Sequence, residues 1–334
     1  MKFLFFSILF IVGSTTISSA QNNSNIYQRI VADSARKNAA TEAAINNPVL
    51  RQIHISTDLI SDGDIESKLH GQPLFTGKAS TIRTSAIFTI PVKTWGKNSL
   101  IATGSYFAQQ LRISEIRGAD GVLSNNEIEY NNFAVGLTAS FQRRDVLFSK
   151  PVFYIANVSG LTNEASSIKK LSFMGSAILM LKYTPITRFS AGLILNIDPS
   201  LNVPVIPIVS YWHRFDNKIE LNVGVPTGLA LRRAMTNNLW LNLGTTVSGS
   251  VAFLDLNYPN VPRDVNYTTL DLKNGLGVEY RLAKKFMVGV NGGILMPINA
   301  RAFELNKSSK DYFLDNKLAK TPYINFTFSV LPFL

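Results

Sequence analysis

Apolar and polar residues alternate one for one through most of the chain from residue 51 onward, and the last stretch sets the pattern. In Pro322 to Leu334, PYINFTFSVLPFL, Ile324, Phe326, Phe328 and Val330 fall on one face and Asn325, Thr327 and Ser329 on the other. A period of two predicts a β-strand with one apolar side and one polar side. The same pattern fills 132–142, where Phe133, Val135, Leu137, Ala139 and Phe141 oppose Asn132, Gly136, Thr138, Ser140 and Gln142. It recurs at 52–59, 80–90, 99–109, 151–160, 170–182, 187–196, 205–213, 217–225, 228–235, 239–253, 267–281 and 284–296. This makes about fourteen strands (twelve is the alternative count), many near the ~9–11 residues of a tilted membrane-spanning strand.

The connections alternate too. Ser61–Ala79, Leu111–Glu129, Thr162–Lys169, Ile197–Pro204, Asp255–Asn266 and Pro297–Thr321 read as long. Val92–Asn98, Arg143–Ser149, Tyr183–Ile186, Arg214–Asp216 and Leu282–Ala283 read as short, and Pro226-Thr227 is the one connection that breaks the order. Short turns on one side and long loops on the other predict an all-β, antiparallel up-and-down transmembrane barrel with its short turns periplasmic. An even strand count then puts both termini in the periplasm. Glycines inside strands, among them Gly275, Gly277, Gly292 and Gly293, fit a curved wall with close backbone approach. Tyr106, Tyr154, Tyr183, Tyr211, Trp212, Trp240, Tyr280 and Tyr323 fall mostly near strand ends, as an interfacial aromatic girdle would.

The N-terminus adds a destination. Lys2, the apolar run Phe3–Val12, and small residues at Ser18 and Ala20 predict a secretory signal peptide over 1–20. Residues 21–50 read as a periplasmic tail or a plug reaching into the lumen, with an alanine-rich helix over Asp33–Asn46 stopped by Asn46-Asn47-Pro48. Asp33-Ser34-Ala35 resembles a short bacterial O-glycosylation sequon. Residues 51–334 are the expected barrel.

Composition fits this. Apolar residues make up 46% of the chain and charged ones only 16%, against about 25% in soluble proteins. No internal apolar run reaches the ~18 residues of a spanning helix. With no cysteine, disulfides and thiolate metal sites are excluded, and three histidines make an all-histidine metal centre an unpromising reading. The net charge of +11 is scattered, with pairs such as Arg143-Arg144, Lys169-Lys170 and Lys284-Lys285 at turns, so it speaks for anionic lipid or solutes rather than nucleic acid.

The segments 46–56, NNPVLRQIHIS, and 203–226, VPVIPIVSYWHRFDNKIELNVGVP, together with the closing strand, resemble an outer-membrane β-barrel family of Bacteroidota-type bacteria known as a domain of unknown function. The resemblance implies a barrel in the outer membrane and brings no catalytic or ligand residues with it.

Candidate chemistry is thin. Gly118–Glu127 mimics half a calcium loop, but Ile116 and Gly118 stand where side-chain oxygens are needed. Asp58, Asp62, Asp64 and Glu66 form an acidic group in the first long connection. His213 follows Trp212 at a strand end, and the hydroxyl of Ser210, three residues away, belongs on the opposite face of a strand. Arg83, Arg143, Arg144, Arg232, Arg233 and Arg281 lie in or beside strands, and any at hydrocarbon depth must face the lumen. No catalytic, cofactor-binding or metal residues are therefore assigned. The reading is a non-enzymatic channel or transporter for a small solute in the outer membrane of a Gram-negative bacterium. Its expected partners are outer-membrane lipid, a solute in the lumen, and the barrel-assembly machinery through the C-terminal strand. The alternatives are a structural or assembly barrel serving secretion or surface anchoring and, last, an integral lipid hydrolase.

Overall fold

A computed structural model describes residue 38 and residues 40–332, apart from 124–126, 199–203, 256–260 and 306. The signal-peptide region, the sequon at 33–35 and the last two residues lie outside the described residues. In chain order the strands are β1 (Ile53–Leu69), β2 (Gln72–Trp95), β3 (Asn98–Gly118), β4 (Ile128–Leu147), β5 (Lys150–Thr162), β6 (Lys170–Tyr183), β7 (Thr187–Ile197), β8 (Val205–Arg214), β9 (Ile219–Val225), β10 (Gly228–Ala234), β11 (Leu239–Asp255), β12 (Asp264–Ala283), β13 (Phe286–Glu304), β14 (Leu314–Leu318) and β15 (Thr321–Val330).

From β1 to β13 each strand pairs antiparallel with its sequence neighbour, and the ring closes where β1 meets the end of the chain. The short β14 and β15 share one place in the wall. β15 lies between β13 and residues 53–60 of β1, whereas β14 lies against residues 65–69 of β1. Among the described residues the barrel therefore has fourteen wall positions. Closure leaves no unpaired edge, which a wall inside hydrocarbon requires.

Alternation sorts the side chains as the sequence predicts. Leu137, Leu193, Leu195, Leu243, Leu276, Ile324 and Phe326 stand exposed on the outer face. Their neighbours Thr138, Asn196, Asn242, Asn325 and Thr327 line the interior. An apolar exterior around a polar interior inverts the soluble plan and fits lipid outside and water inside.

Three of the long connections are a correction, while Thr162–Lys169 is a loop as expected. Ser61–Ala79 is no loop: β1 and β2 continue as a ladder to a two-residue turn at His70-Gly71. Both turn residues have positive φ, 48° and 79°. Most of Leu111–Glu129 and Pro297–Thr321 is likewise strand. These extensions carry polar residues such as Asp62, Asp64 and Glu66 toward solvent on one face, while Ile65, Ala79, Ile113 and Ile116 form a small buried cluster on the other. Backbone ladder bonds join that cluster in ordering them. The wall is consequently uneven: β2 has 24 residues, whereas β9 and β10 have seven each.

Strand packing also explains a pair of glycines. Gly275 and Gly293 are paired across β12 and β13, and a Cβ on either would run into backbone of the other strand.

Candidate functional site

The interior is the site, and three layers of side chains divide it. At the short-turn end, residues 40–46 are helical and Pro48–Leu50 forms a 3-10 turn capped by Asn47, whose Oδ1 accepts from Val49 N at 3.2 Å. Ala44 and Ile45, with Leu50 beside them, pack against Trp240, Met287 and Leu331. A charged clamp ties this segment to the wall. Arg51 donates through Nη2 to Glu279 Oε1 at 2.6 Å, and Arg232 Nη2 to Glu279 Oε2 at 3.1 Å. Arg232 Nη1 reaches Asn46 Oδ1 at 2.6 Å, and Arg51 Nε reaches the Ala44 carbonyl at 3.1 Å. One buried carboxylate thus holds two guanidinium groups, each of which also grips the 44–46 turn. Buried charges are tolerable when paired and hydrogen-bonded in this way.

In the middle of the barrel, two ion pairs cross the interior. Lys273 on β12 donates to Asp58 on β1 at 2.5 Å, and Asn325 donates to the other Asp58 oxygen at 2.8 Å. Arg83 on β2 donates to Asp271 on β12 at 2.5 Å and to Gln109 on β3 at 3.1 Å. These strands are three and four positions apart around the ring, so the pairs span chords of the lumen rather than rungs of the wall.

Toward the long-connection end, Phe107 from β3 joins Ala252, Val265, Tyr267, Ala300, Ala302 and Phe313 in a buried apolar cluster. β4 and β11, on opposite sides of the ring, approach each other across the interior. The cross-section is pinched, and one lobe is filled by the Phe107 cluster and the ion pairs.

The other lobe keeps space. A cavity of about 1610 Å³ runs from Ala40, Gly96 and Tyr183 near the short turns to Leu161, Lys170 and Asp198 near the other end. Its wall on β5–β8 is unusual for a barrel interior. Phe153, Ile155, Met174, Ile178, Ile194 and Ile208 form an inward apolar patch. Small polar residues frame it, with Ser190 and Ser210 below and Ser159, Ser172 and Asn196 above. Lys170 and Asp198 pair at 3.0 Å at the upper margin.

Of the arginines singled out in the sequence, Arg83 and Arg232 enter the lumen with partners. Arg143 pairs with Asp145 and Arg281 bonds to Asn238, both beside short turns, and Arg233 is exposed on the outer face. Arg144 lines the cavity near the same end. The key acids, Glu279 and Asp271, and Lys273 were not singled out. Their signal was a charge at an inward position of an otherwise apolar-alternating strand, as in Leu270-Asp271-Leu272-Lys273.

His213 stands on the outer face between Tyr211 and Phe215, stacked on the first and edge-on to the second. Its Nδ1 lies 2.9 Å from Thr187 Oγ1, while Ser210 is buried on the inner face. His54 meets Ser329 Oγ at 2.8 Å, but Ser329 has no exposed surface and also accepts from Arg51 at 3.2 Å. His70 sits in the β1–β2 turn against Phe313. Of the expected girdle, Trp212, Trp240 and Tyr323 face inward instead, and Tyr183 borders the cavity. Inward rings serve cations here: Arg232 lies 5.1 Å from the Trp240 centroid and Arg188 lies 4.7 Å from that of Trp212.

Asp58 belongs to the central network, whereas Asp62, Asp64 and Glu66 are exposed. Asp120 accepts from Val122 N at 3.0 Å and Glu127 pairs with Arg112, while position 124 of the supposed calcium loop lies outside the described residues. No group of three or more metal-ligating side chains occurs among the described residues. In the loop 163–169, hydrogen bonds from Ser167 and Lys169 hold the Glu164 carboxyl below the usual carboxylate range, and Glu164 with Asp264 pushes the Lys169 ammonium up.

Among solved structures the chain resembles an outer-membrane channel from Pseudomonas putida F1 at 8% identity and a TM-score of 0.33, covering 84% of this chain and 96% of that one. The translocator domain of the autotransporter NalP from Neisseria meningitidis matches at 10% and 0.27, covering 91% and 97%. The toluene transporter TodX from Pseudomonas putida matches at 9% and 0.29, covering 83% and 88%. No curated protein sequence matches the chain. One family model covers residues 52–330, nearly the whole described barrel. The chain belongs to the family described as Domain of unknown function (DUF6268).

Proposed function

We propose that this barrel is a non-enzymatic channel for a small solute in the outer membrane of a Gram-negative, Bacteroidota-type cell, and that residues 40–51 act as a plug at its periplasmic mouth. The observation that carries the reading is the Glu279 clamp on Arg51 and Arg232, which fastens an N-terminal segment inside the short-turn end of a closed wall. A segment held by a few polar contacts and one small apolar cluster, rather than by a strand ladder, can leave while the wall stays intact. A continuous cavity of solute dimensions beside it supports passage. The apolar exterior supports a lipid partner, and β15 presents the strand that the barrel-assembly machinery would engage. Both termini are periplasmic in this reading, because β1 and β15 start and end at the short-turn side.

The test is conductance in planar bilayers and solute flux in liposomes, using the mature wild type and Glu279→Gln. The expected result is low conductance for the wild type and a clear rise on loss of the clamp. If neither protein conducts or passes solute, the channel reading falls. Capture of a fixed protein partner would then favour an assembly barrel. Cleavage of lipid esters that is lost in His213→Ala would favour a hydrolase acting through the His213–Thr187 pair.

A further inference from the structure

The apolar patch on β5–β8 needs an occupant. Inward faces of a water-filled barrel are polar, since apolar surface held against water is unfavourable. Away from the Phe107 cluster and the contact with residues 44–50, this interior follows the rule, with Ser, Thr, Asn and paired ions. On β5–β8, Phe153, Ile155 and Ile178 line the cavity, backed by the buried Met174, Ile194 and Ile208. Beside them lies a second anomaly. Asn157 is 2% exposed, sits on the inner face between cavity-lining Ile155 and Ser159, and neither its amide nitrogen nor its amide oxygen has a partner. The hydroxyls of Ser172 and Ser176 on the adjoining strand are buried and unpartnered as well. Buried amides and hydroxyls are normally satisfied, and a donor and acceptor left open together beside an apolar surface describe a complementary ligand.

We infer that the wall formed by β5–β8 is a binding site for a neutral amphipathic small molecule, with an apolar body against Phe153, Ile155 and Ile178 and an amide- or hydroxyl-type group at Asn157, Ser172 and Ser176. Charge is disfavoured because the nearest ions, Lys170 and Asp198, already pair with each other. The inference rests on the channel reading for its purpose, since it names the class of solute, but its test does not depend on conduction.

Methionine methyls report the site directly. Met174 and Met180 lie on the inner face of β6, while Met235, Met287 and Met296 lie on other strands or turns. The experiment is methyl NMR of the full mature protein, labelled at methionine, in lipid nanodiscs titrated with benzamide, benzoate or urea. Benzamide is expected to shift Met174 and Met180 saturably and to leave Met235 in place. Benzoate and urea should be at least tenfold weaker. Asn157→Leu, which removes the open amide at similar volume, should weaken benzamide about tenfold, the size of one lost neutral hydrogen bond. Ser172→Ala is the milder second variant if Asn157→Leu does not assemble. Equal shifts by benzamide and benzoate, shifts untouched by the substitutions, or no shift at Met174 and Met180 would overturn the inference. Conductance without these shifts removes the solute class and leaves the channel. Shifts without conductance in any variant leave the binding site and remove the channel.

Discussion

Arg51 and Glu279, 228 positions apart in the chain, meet at 2.6 Å inside the short-turn end of the barrel. Their side chains are 1% and 11% exposed, so this contact is not a surface ion pair. It joins the residue just before the first strand to an inward position on β12, and Arg232 completes it from β10. The helical turn over 40–46 has little else of a polar kind to hold it.

Removing Glu279 should therefore free that turn rather than melt the wall. Breaking a buried pair typically costs about 3–5 kcal/mol, because the surviving charges stay desolvated. In Glu279→Gln two guanidinium groups lose their anion, and expulsion of residues 40–51 into water relieves one of them. The expected outcome is fast hydrogen exchange and protease cleavage within 40–51, with β1–β15 still protected. Cleavage no faster than in the wild type would refute the clamp.

The central ion pairs make a different prediction. Arg83→Met alone strands Asp271, and Asp271→Leu alone strands Arg83, since both are buried. Each single variant should lose about 3–5 kcal/mol, while the double variant should lose much less, as expected when both charges leave together. Urea unfolding of the barrel in lipid vesicles measures all three. Additive losses would mean that the two residues do not act as a pair.

Facing can be tested with adjacent residues. Leu137 on β4 is 76% exposed on the outer face, and Thr138 lines the cavity. Leu137→Arg should cost about 2–4 kcal/mol in a bilayer, the midplane price for arginine, and Thr138→Arg distinctly less. Equal costs would mean the two side chains do not sit in different solvents.

A pH effect should appear in the loop 163–169. Glu164 accepts hydrogen bonds from Ser167 and Lys169, and its carboxyl is depressed as a result. A depressed folded-state value means the contact helps above the ordinary carboxylate range and fades as pH falls through the lowered value. In an NMR titration the Glu164 midpoint should lie below the usual ~4.3 and rise in Ser167→Ala. A midpoint at the ordinary value in the wild type would contradict this.

The wall was legible because lipid and water enforce a period of two. Each of the fourteen segments read from alternation holds a strand, and 132–142 and 239–253 are strand throughout. What escaped was strand beyond the alternating segments. Asp62, Asp64 and Glu66 look like loop because their face meets water and the opposite face carries a single large apolar residue, the buried Ile65, yet their backbone is laddered to β2. The interior was half legible. Face parity put Arg83 and Arg232 inside, since lipid rejects them. It could not name Asp271 or Glu279 as partners, because a pair spanning the lumen depends on ring curvature that no local pattern encodes. Trp212, Trp240 and Tyr323 failed for a related reason. An aromatic near a strand end is a girdle residue or a lumen residue according to one step of register, and on the inner face Trp212 and Trp240 each meet an arginine.

Ile53 pairs with Val330, and the register continues through Ile60 with Tyr323. The first rib and the last are thus the two lips of a single seam, 277 residues apart along the thread. Neither lip can satisfy its outer hydrogen bonds until the other arrives, so no partial wall is comfortable in hydrocarbon. Closing that seam is what turns a curled ribbon with two open borders into a tube with none.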